Sequence, residues 1–207
     1  MIDFSAFDRA DVTKTPFRFM STSGALTGEA AANIRRDYPA INKSGFLPLS
    51  KLDSRGAFSE LIDDLQSTQL AEALSDKLAL DLRDKPRMIT VRRLSKIGDG
   101  RIHNDSISKI CTMLIYLNKE WAPEQSGAIR ALKNEHDIDD YLVEIPPLAG
   151  NIFAFARADN SWHGHLPFEG ERLVVQTTFL SSQDELDRKE NRGGIQLFLK
   201  RVNPFSR

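Results

Sequence analysis

Cysteine is nearly absent: Cys111 stands alone in 207 residues, so no disulfide forms within the chain. No charge of one sign dominates, with 28 Lys and Arg against 29 Asp and Glu. That balance leaves no net field to draw the chain onto nucleic acid or an acidic membrane, and neither partner is expected. Long hydrophobic runs are missing too, and none approaches the roughly 18 residues of a membrane span. The opening "MIDFSAFDRADVTK" carries acids where an export signal has a basic segment and an apolar run, which reads as a cytoplasmic protein. Internal repeats and low-complexity tracts are also absent. What remains is 41% hydrophobic and 28% charged residues, the balance of an ordinary globular chain with a single core. Cys111 lies in an apolar run and reads as a small buried hydrophobe.

The texture changes near Pro86. Before it, "ALTGEAAANIRRDY" and "GAFSELIDDLQSTQLAEALSDKLALDL" place apolar residues at intervals of three and four, among them Phe58, Leu61, Leu65, Leu70, Leu74 and Leu78. These spacings predict amphipathic helices, with Ser67 as the N-cap that divides the long stretch. "RDKP" is expected to end it, because a residue before proline resists helical geometry. After Pro86 come six short β-branched and aromatic segments: "RMITVRRL", "KICTMLIYLN", "GAIRAL", "YLVEIPP", "NIFAFA" and "RLVVQTTFL". Separated by Gly, Pro, Asn and Asp, they predict a β-sandwich or barrel, hence an α+β, mainly β, single domain. Its parts are a helical support over 1–85, a β core over 86–183 and a tail over 184–207 ending in the apolar "IQLFLKRV". That last piece could cover its own core or that of a second copy, so an oligomer is open.

Alternation along a strand sorts side chains by face. In "CTMLIYL", Thr112, Leu114 and Tyr116 share one side, and Cys111, Met113, Ile115 and Leu117 the other; both look buried. In "RLVVQTT", Arg172, Val174, Gln176 and Thr178 oppose Leu173, Val175, Thr177 and Phe179. The face with Arg172 and Gln176 is either solvated or lines a polar pocket. In "RIHND", His103 and Asp105 are two residues apart and project to one side, so both can grip one ion while a distant histidine completes the set. Two imidazoles and a carboxylate on one face of an octahedron suit non-heme Fe(II) and leave three positions open. The same three side chains also suit a zinc hydrolase, and a binding module without catalysis would need none of them.

From about Arg87 to Leu180 the sequence resembles the prolyl-hydroxylase-like branch of the 2-oxoglutarate- and Fe(II)-dependent dioxygenases. The likeness runs through "HND", "YLNKEW", "SGAIRAL", "PPLAGNIFAF" and "WHGHLPFEGER", and the family's second histidine and its basic residue nine positions later fall on His163 and Arg172. The resemblance implies a double-stranded β-helix, or jelly roll, over 86–183. It implies that His103, Asp105 and His163 hold the iron and that Arg172 binds the distal carboxylate of 2-oxoglutarate, for which a guanidinium fork is well shaped. Arg172's alternative is a surface ion pair with Glu169 or Glu171. Tyr116 matches a tyrosine that hydrogen-bonds the same carboxylate in some relatives, and Thr112 and Gln176 share its inward side and are expected near the cosubstrate. The implied cofactors are Fe(II), 2-oxoglutarate and O2, with ascorbate as an optional reductant. The implied product is a hydroxylated C–H bond on a small molecule or a short peptide segment, with succinate and CO2 released. His163 is preferred over His165 as the ligand for its distance to Arg172 and for Trp162 beside it; His165 is expected behind the ligands or at the pocket rim, and His136 in solvent. Two departures border the substrate entrance. Arg92 or Arg93 stands where many relatives carry tyrosine, and Gly127-Ala128 replaces a double glycine.

Overall fold

Residues 1–122, 124 and 126–191 are described by the computed structural model. In chain order they form α1 (Ser5–Arg9), β1 (Val12–Thr13), β2 (Phe19–Thr22), α2 (Gly28–Arg36), β3 (Leu47–Pro48), α3 (Gly56–Gln66) and α4 (Thr68–Leu78). Seven strands follow: β4 (Arg87–Ser95), β5 (Lys109–Tyr116), β6 (Ile129–Leu132), β7 (Tyr141–Ile145), β8 (Ile152–Ala156), β9 (His163–Gly164) and β10 (Gly170–Leu180). All six β segments expected from the sequence are strands. Residues 183–191 of the expected polar tail are helical, and "IQLFLKRV" lies outside the described residues.

Ser67 caps α4 as expected, its hydroxyl accepting from Leu70 N at 3.1 Å. The end of that helix differs from expectation. It stops at Leu78, well before "RDKP", because Ala79 turns left-handed at φ 52° and Leu80 N returns to Ser75 O at 3.0 Å. Ser75 Oγ then accepts from Leu82 N at 3.1 Å, so the extended exit has its own hydrogen bond and does not wait for proline.

The strands make two sheets. The larger has the order β1-β2-β8-β5-β10-β4-β3 and the smaller β7-β6-β9, which together form the double-stranded β-helix. The N-terminal part supplies more than helices, since β1, β2 and β3 belong to the larger sheet. Strand β2 pairs with β8 through Phe19↔Phe155 and Ser21↔Phe153. These pieces are too short, at two to four residues, to show strand periodicity in sequence.

Strand β5 is buried on both sides, as its alternation predicts. Cys111, Met113 and Ile115 pack with Phe58, Leu61, Leu65, Leu70 and Leu74 of the helices. Leu114 and Tyr116 pack between the sheets with Phe153, Phe155, Ile129 and Val174. Each fully buried Leu or Phe contributes about 1.5–3 kcal/mol, so the helical layer acts as the larger sheet's apolar backing. The register sets one row across three strands: Val174 lies opposite Arg92 on β4 and opposite Tyr116 on β5. That row crosses the inner face, beside the site.

Candidate active site

His163 belongs to β9, paired with β6 through Ala131↔His163. On its other edge it makes an isolated bridge to His103, with backbone N–O distances of 3.0 and 3.1 Å. Two histidines 60 positions apart in sequence thus become neighbours, their ring centroids 4.2 Å apart. Asn104 anchors the first of these segments: its amide donates to the carbonyls of Ala158 and Asp159 at 2.8 Å each, and its Oδ1 accepts from Ser161 Oγ at 2.6 Å. Asp105 follows, and its backbone carbonyl accepts from Arg157 Nε at 3.2 Å.

His103, Asp105 and His163 each offer a ligand atom, and these atoms lie within 4.8 Å of one another. Asp105 and His163 are buried and His103 is exposed, so the cluster opens to solvent on one side. His103 Nδ1 lies 2.8 Å from Arg101 O, and His163 Nδ1 lies 2.9 Å from Ser161 O. A carbonyl only accepts, so in each ring Nδ1 carries the proton and Nε2 keeps its lone pair for a metal. Burial pushes the His163 pKa down to about 4, and the nearby His103 adds to the effect, which keeps the imidazole neutral. Burial alone would raise Asp105, but Lys109, His163 and the Thr112 hydroxyl outweigh it and hold the carboxyl below its ordinary value. Lys109 Nζ sits 2.5 Å from Asp105 Oδ1, and Thr112 Oγ1 donates to Oδ2 at 2.7 Å. Two imidazoles and one ionised carboxylate converging from one side fit Fe(II).

A cavity of about 300 Å³ joins this cluster to Arg172. Phe46, Leu114 and Ile129 form its apolar wall, and Arg92, His165 and Gln176 its polar one. Arg172 is 2% exposed. Its Nε donates to Gly127 O at 2.8 Å and its Nη2 to Tyr116 Oη at 3.2 Å, with the guanidinium 5.1 Å from the Tyr116 ring. Among the described residues no carboxylate pairs with it, and Glu171 pairs with Arg93 instead, at 3.0 Å. The surface ion pair weighed for Arg172 is therefore not formed. Gly127 suits its role, at φ 101°: a Cβ there would meet Phe168 at 2.9 Å, beside the carbonyl that Arg172 needs. Tyr116 is fully buried, and burial raises its pKa against the pull of Arg172. Gln176 lines the cavity and donates to Thr178 Oγ1 at 3.2 Å, while Thr112 stands behind Asp105 with its hydroxyl committed there.

His165 is buried in the cavity wall, and its pKa too is lowered to about 4 by burial and by Arg172. Gly100, at φ 80°, allows this: a Cβ would fall 2.2 Å from the His165 ring. His136 is exposed, as expected. Lys109 and Asn104 escaped the sequence reading, because a lysine four residues after an aspartate or an asparagine between two ligand candidates carries no signal until the loop is folded.

The two buried imidazoles set a pH dependence. An unfolded histidine titrates near 6.5 and these folded ones near 4, so between those values the unfolded state binds more protons. Their contribution to stability is therefore complete above pH 6.5 and lost as the pH falls through 4. Urea unfolding of the metal-free protein is expected to give a lower midpoint at pH 4.5 than at pH 7, with the difference reduced in a His165→Gln variant.

Residues 90–180 match the family model described as the 2OG-Fe(II) oxygenase superfamily. Among solved structures the chain is similar to a Pseudomonas putida prolyl-4-hydroxylase at 19% identity and a TM-score of 0.61, over 85% of this chain and 97% of that one. It is similar to iron-bound HygX from Streptomyces hygroscopicus at 12% identity and 0.55, over 81% and 83% of the two chains. A prolyl hydroxylase from Trichoplax adhaerens, in complex with a hypoxia inducible factor oxygen degradation domain peptide fragment, is similar at 14% and 0.52, over 80% and 87%. At these identities the likeness is one of fold. No curated protein matches the sequence.

Proposed function

We propose, from the match of residues 90–180 to the family model of the 2OG-Fe(II) oxygenase superfamily, that His103, Asp105 and His163 hold the iron and Arg172 holds the cosubstrate. The observation that carries this reading is the pairing of two features in one cavity. At one end three ligand atoms of the right kinds converge, and at the other a buried guanidinium has a carbonyl and a hydroxyl as hydrogen-bond partners but, among the described residues, no anion. An uncompensated buried charge is costly, and a dicarboxylate bridging the two ends would remove that cost. A zinc hydrolase has no use for Arg172 in this setting, and a passive binding module has none for the triad.

Bound together, Fe(II), 2-oxoglutarate and O2 supply the oxidation, in which one oxygen atom enters succinate as CO2 leaves and the other enters a substrate C–H bond. The chain's own residues position and shield. His103 and His163 present Nε2 because backbone carbonyls hold Nδ1–H, and Thr112 fixes the plane of Asp105 by donating to Oδ2. Arg172 offers charged donors to the distal carboxylate, with Tyr116 Oη alongside to donate a second hydrogen bond. Phe46, Leu114 and Ile129 keep water from the apolar side, which strengthens every charge interaction within. The substrate is a small molecule or a short peptide segment able to enter through the open side at His103.

The purified protein supplied with Fe(II) and O2 is expected to convert 2-oxoglutarate into succinate, and faster when a true substrate is present. NMR of the cosubstrate follows the conversion, and mass spectrometry of candidate substrates looks for a gain of one oxygen. Failure of the Fe(II)-loaded protein to bind 2-oxoglutarate at all would sink the reading.

A further inference from the structure

Arg92 is left without a task by the chemistry above. It lies on the inner face of β4 opposite Val174, lines the cavity, and is only 9% exposed. Its guanidinium is loosely held. Nη2 reaches Asp99 at 3.6 Å, Nη1 reaches Ser95 Oγ at 3.5 Å, and the group lies 4.3 Å from the Phe46 ring. Its Nε is buried and has no hydrogen-bond partner. Buried polar groups in folded proteins are nearly always satisfied, so a cavity-lining guanidinium with an unpartnered Nε and only long contacts from its Nη atoms points to a ligand that supplies the acceptor.

The charges in the cavity say what that ligand is. Its lining cations are Arg92, Arg172 and Lys109, and Asp105 is the carboxylate among the lining residues, already paired with Lys109. Iron and 2-oxoglutarate bring equal and opposite charge, and the cosubstrate's free carboxylate matches Arg172. Arg92 then keeps a weak pairing with Asp99 and an open donor. Arg93, its neighbour in sequence, faces the other way and is spent on Glu171.

We infer that Arg92 binds a carboxylate on the molecule that is oxidised, so the substrate is an anion anchored beside the cosubstrate; this rests on the oxygenase reading of the site. Two further features suit such a molecule. His165 lines the cavity and donates through Nδ1 to Leu166 O at 2.8 Å, so its buried Nε2 is an acceptor with no partner, suited to a neutral N–H or O–H if the ring turns toward the same molecule. An ammonium is disfavoured there by the two guanidinium groups. A second hollow of about 370 Å³, walled by Ile97, Ile138, Leu166 and Pro167, shares Gly100 and His165 with the first and offers apolar surface for the rest of the substrate.

The test uses the full chain loaded with Mn(II), which takes the iron's place without turnover, and saturated with 2-oxoglutarate. The probes are acetate and its neutral twin acetamide, and the readout is the relaxation that Mn(II) imposes on their methyl protons in NMR. Acetate is expected to be relaxed well beyond acetamide, with its dissociation constant raised about tenfold or more in Arg92→Gln and partly restored in Arg92→Lys. In the same Arg92→Gln sample the 2-oxoglutarate affinity is expected to change by less than about threefold, which also shows that the variant is folded. Equal relaxation of acetate and acetamide, or acetate binding unaffected by Arg92→Gln, overturns the inference. So does a loss of 2-oxoglutarate affinity in Arg92→Gln equal to that in Arg172→Gln, since Arg92 would then serve the cosubstrate. If Mn(II) fails to relax the methylene protons of 2-oxoglutarate in the wild-type protein, the oxygenase reading itself falls, whatever Arg92 does.

Discussion

Replacing His163 by alanine is expected to lower Fe(II) affinity by roughly a hundredfold and to abolish succinate release. The magnitude follows from structural zinc sites, where about 10–16 kcal/mol is shared by four ligands, so that one ligand carries about 3 kcal/mol. The loss should be this large because His163 is prepared for a metal before one arrives. It is buried, neutral through burial, and held by Ser161 O with Nε2 free. Nothing nearby can replace it: His165 is the next histidine, but its ring is locked against Gly100 and its Nδ1 is tied to Leu166 O. Calorimetric titration with Fe(II) under argon, together with far-ultraviolet circular dichroism to check folding, measures the effect. A folded His163→Ala protein that binds Fe(II) as tightly as the wild type would remove His163 from the site.

Arg172→Gln is expected to raise the dissociation constant of 2-oxoglutarate about thirtyfold or more, the effect of truncating one side of a buried charge pair worth about 2–5 kcal/mol. Fe(II) binding measured without cosubstrate should stay within about twofold, because the change lies at the other end of the cavity. Arg172→Lys should not restore affinity, because a lysine cannot reach Gly127 O and a carboxylate with the same planar fork. The ligand-free variant carries a further signature. Removing a buried charge that has no anionic partner relieves a desolvation cost, so Arg172→Gln should be at least as stable to urea as the wild type without 2-oxoglutarate. A protein that loses stability and keeps its cosubstrate affinity would make Arg172 a structural residue.

The legible parts of this chain were those where chemistry repeats along the backbone. Alternation in "KICTMLIYLN" and "RLVVQTTFL" foretold which side chains share a face of β5 and of β10, since side chains on a strand must alternate, but not which face the helices cover. Three- and four-residue spacing and the Ser67 cap foretold α3 and α4 for the same kind of reason. Short strands such as Leu47–Pro48 were hidden, because two residues have no period, and the end of α4 was misplaced because a left-handed alanine has no marker of its own.

For the site, the sequence by itself determined the types of side chain and their order: a histidine and an aspartate two apart, a second histidine, and a basic residue nine positions beyond it. It could not determine which arginine enters the cavity. Arg92 and Arg93 are adjacent in sequence, and the pairing of β4 with β10 turns one inward beside Val174 and leaves the other on Glu171. Nor could it show that Lys109 sits on Asp105, that Asn104 ties down the loop carrying that aspartate, or that Arg172 lacks an anionic partner among the described residues. Those facts arise from contacts between segments far apart along the chain. Local spacing limits where a side chain can point, and only the closed sheet decides what it meets.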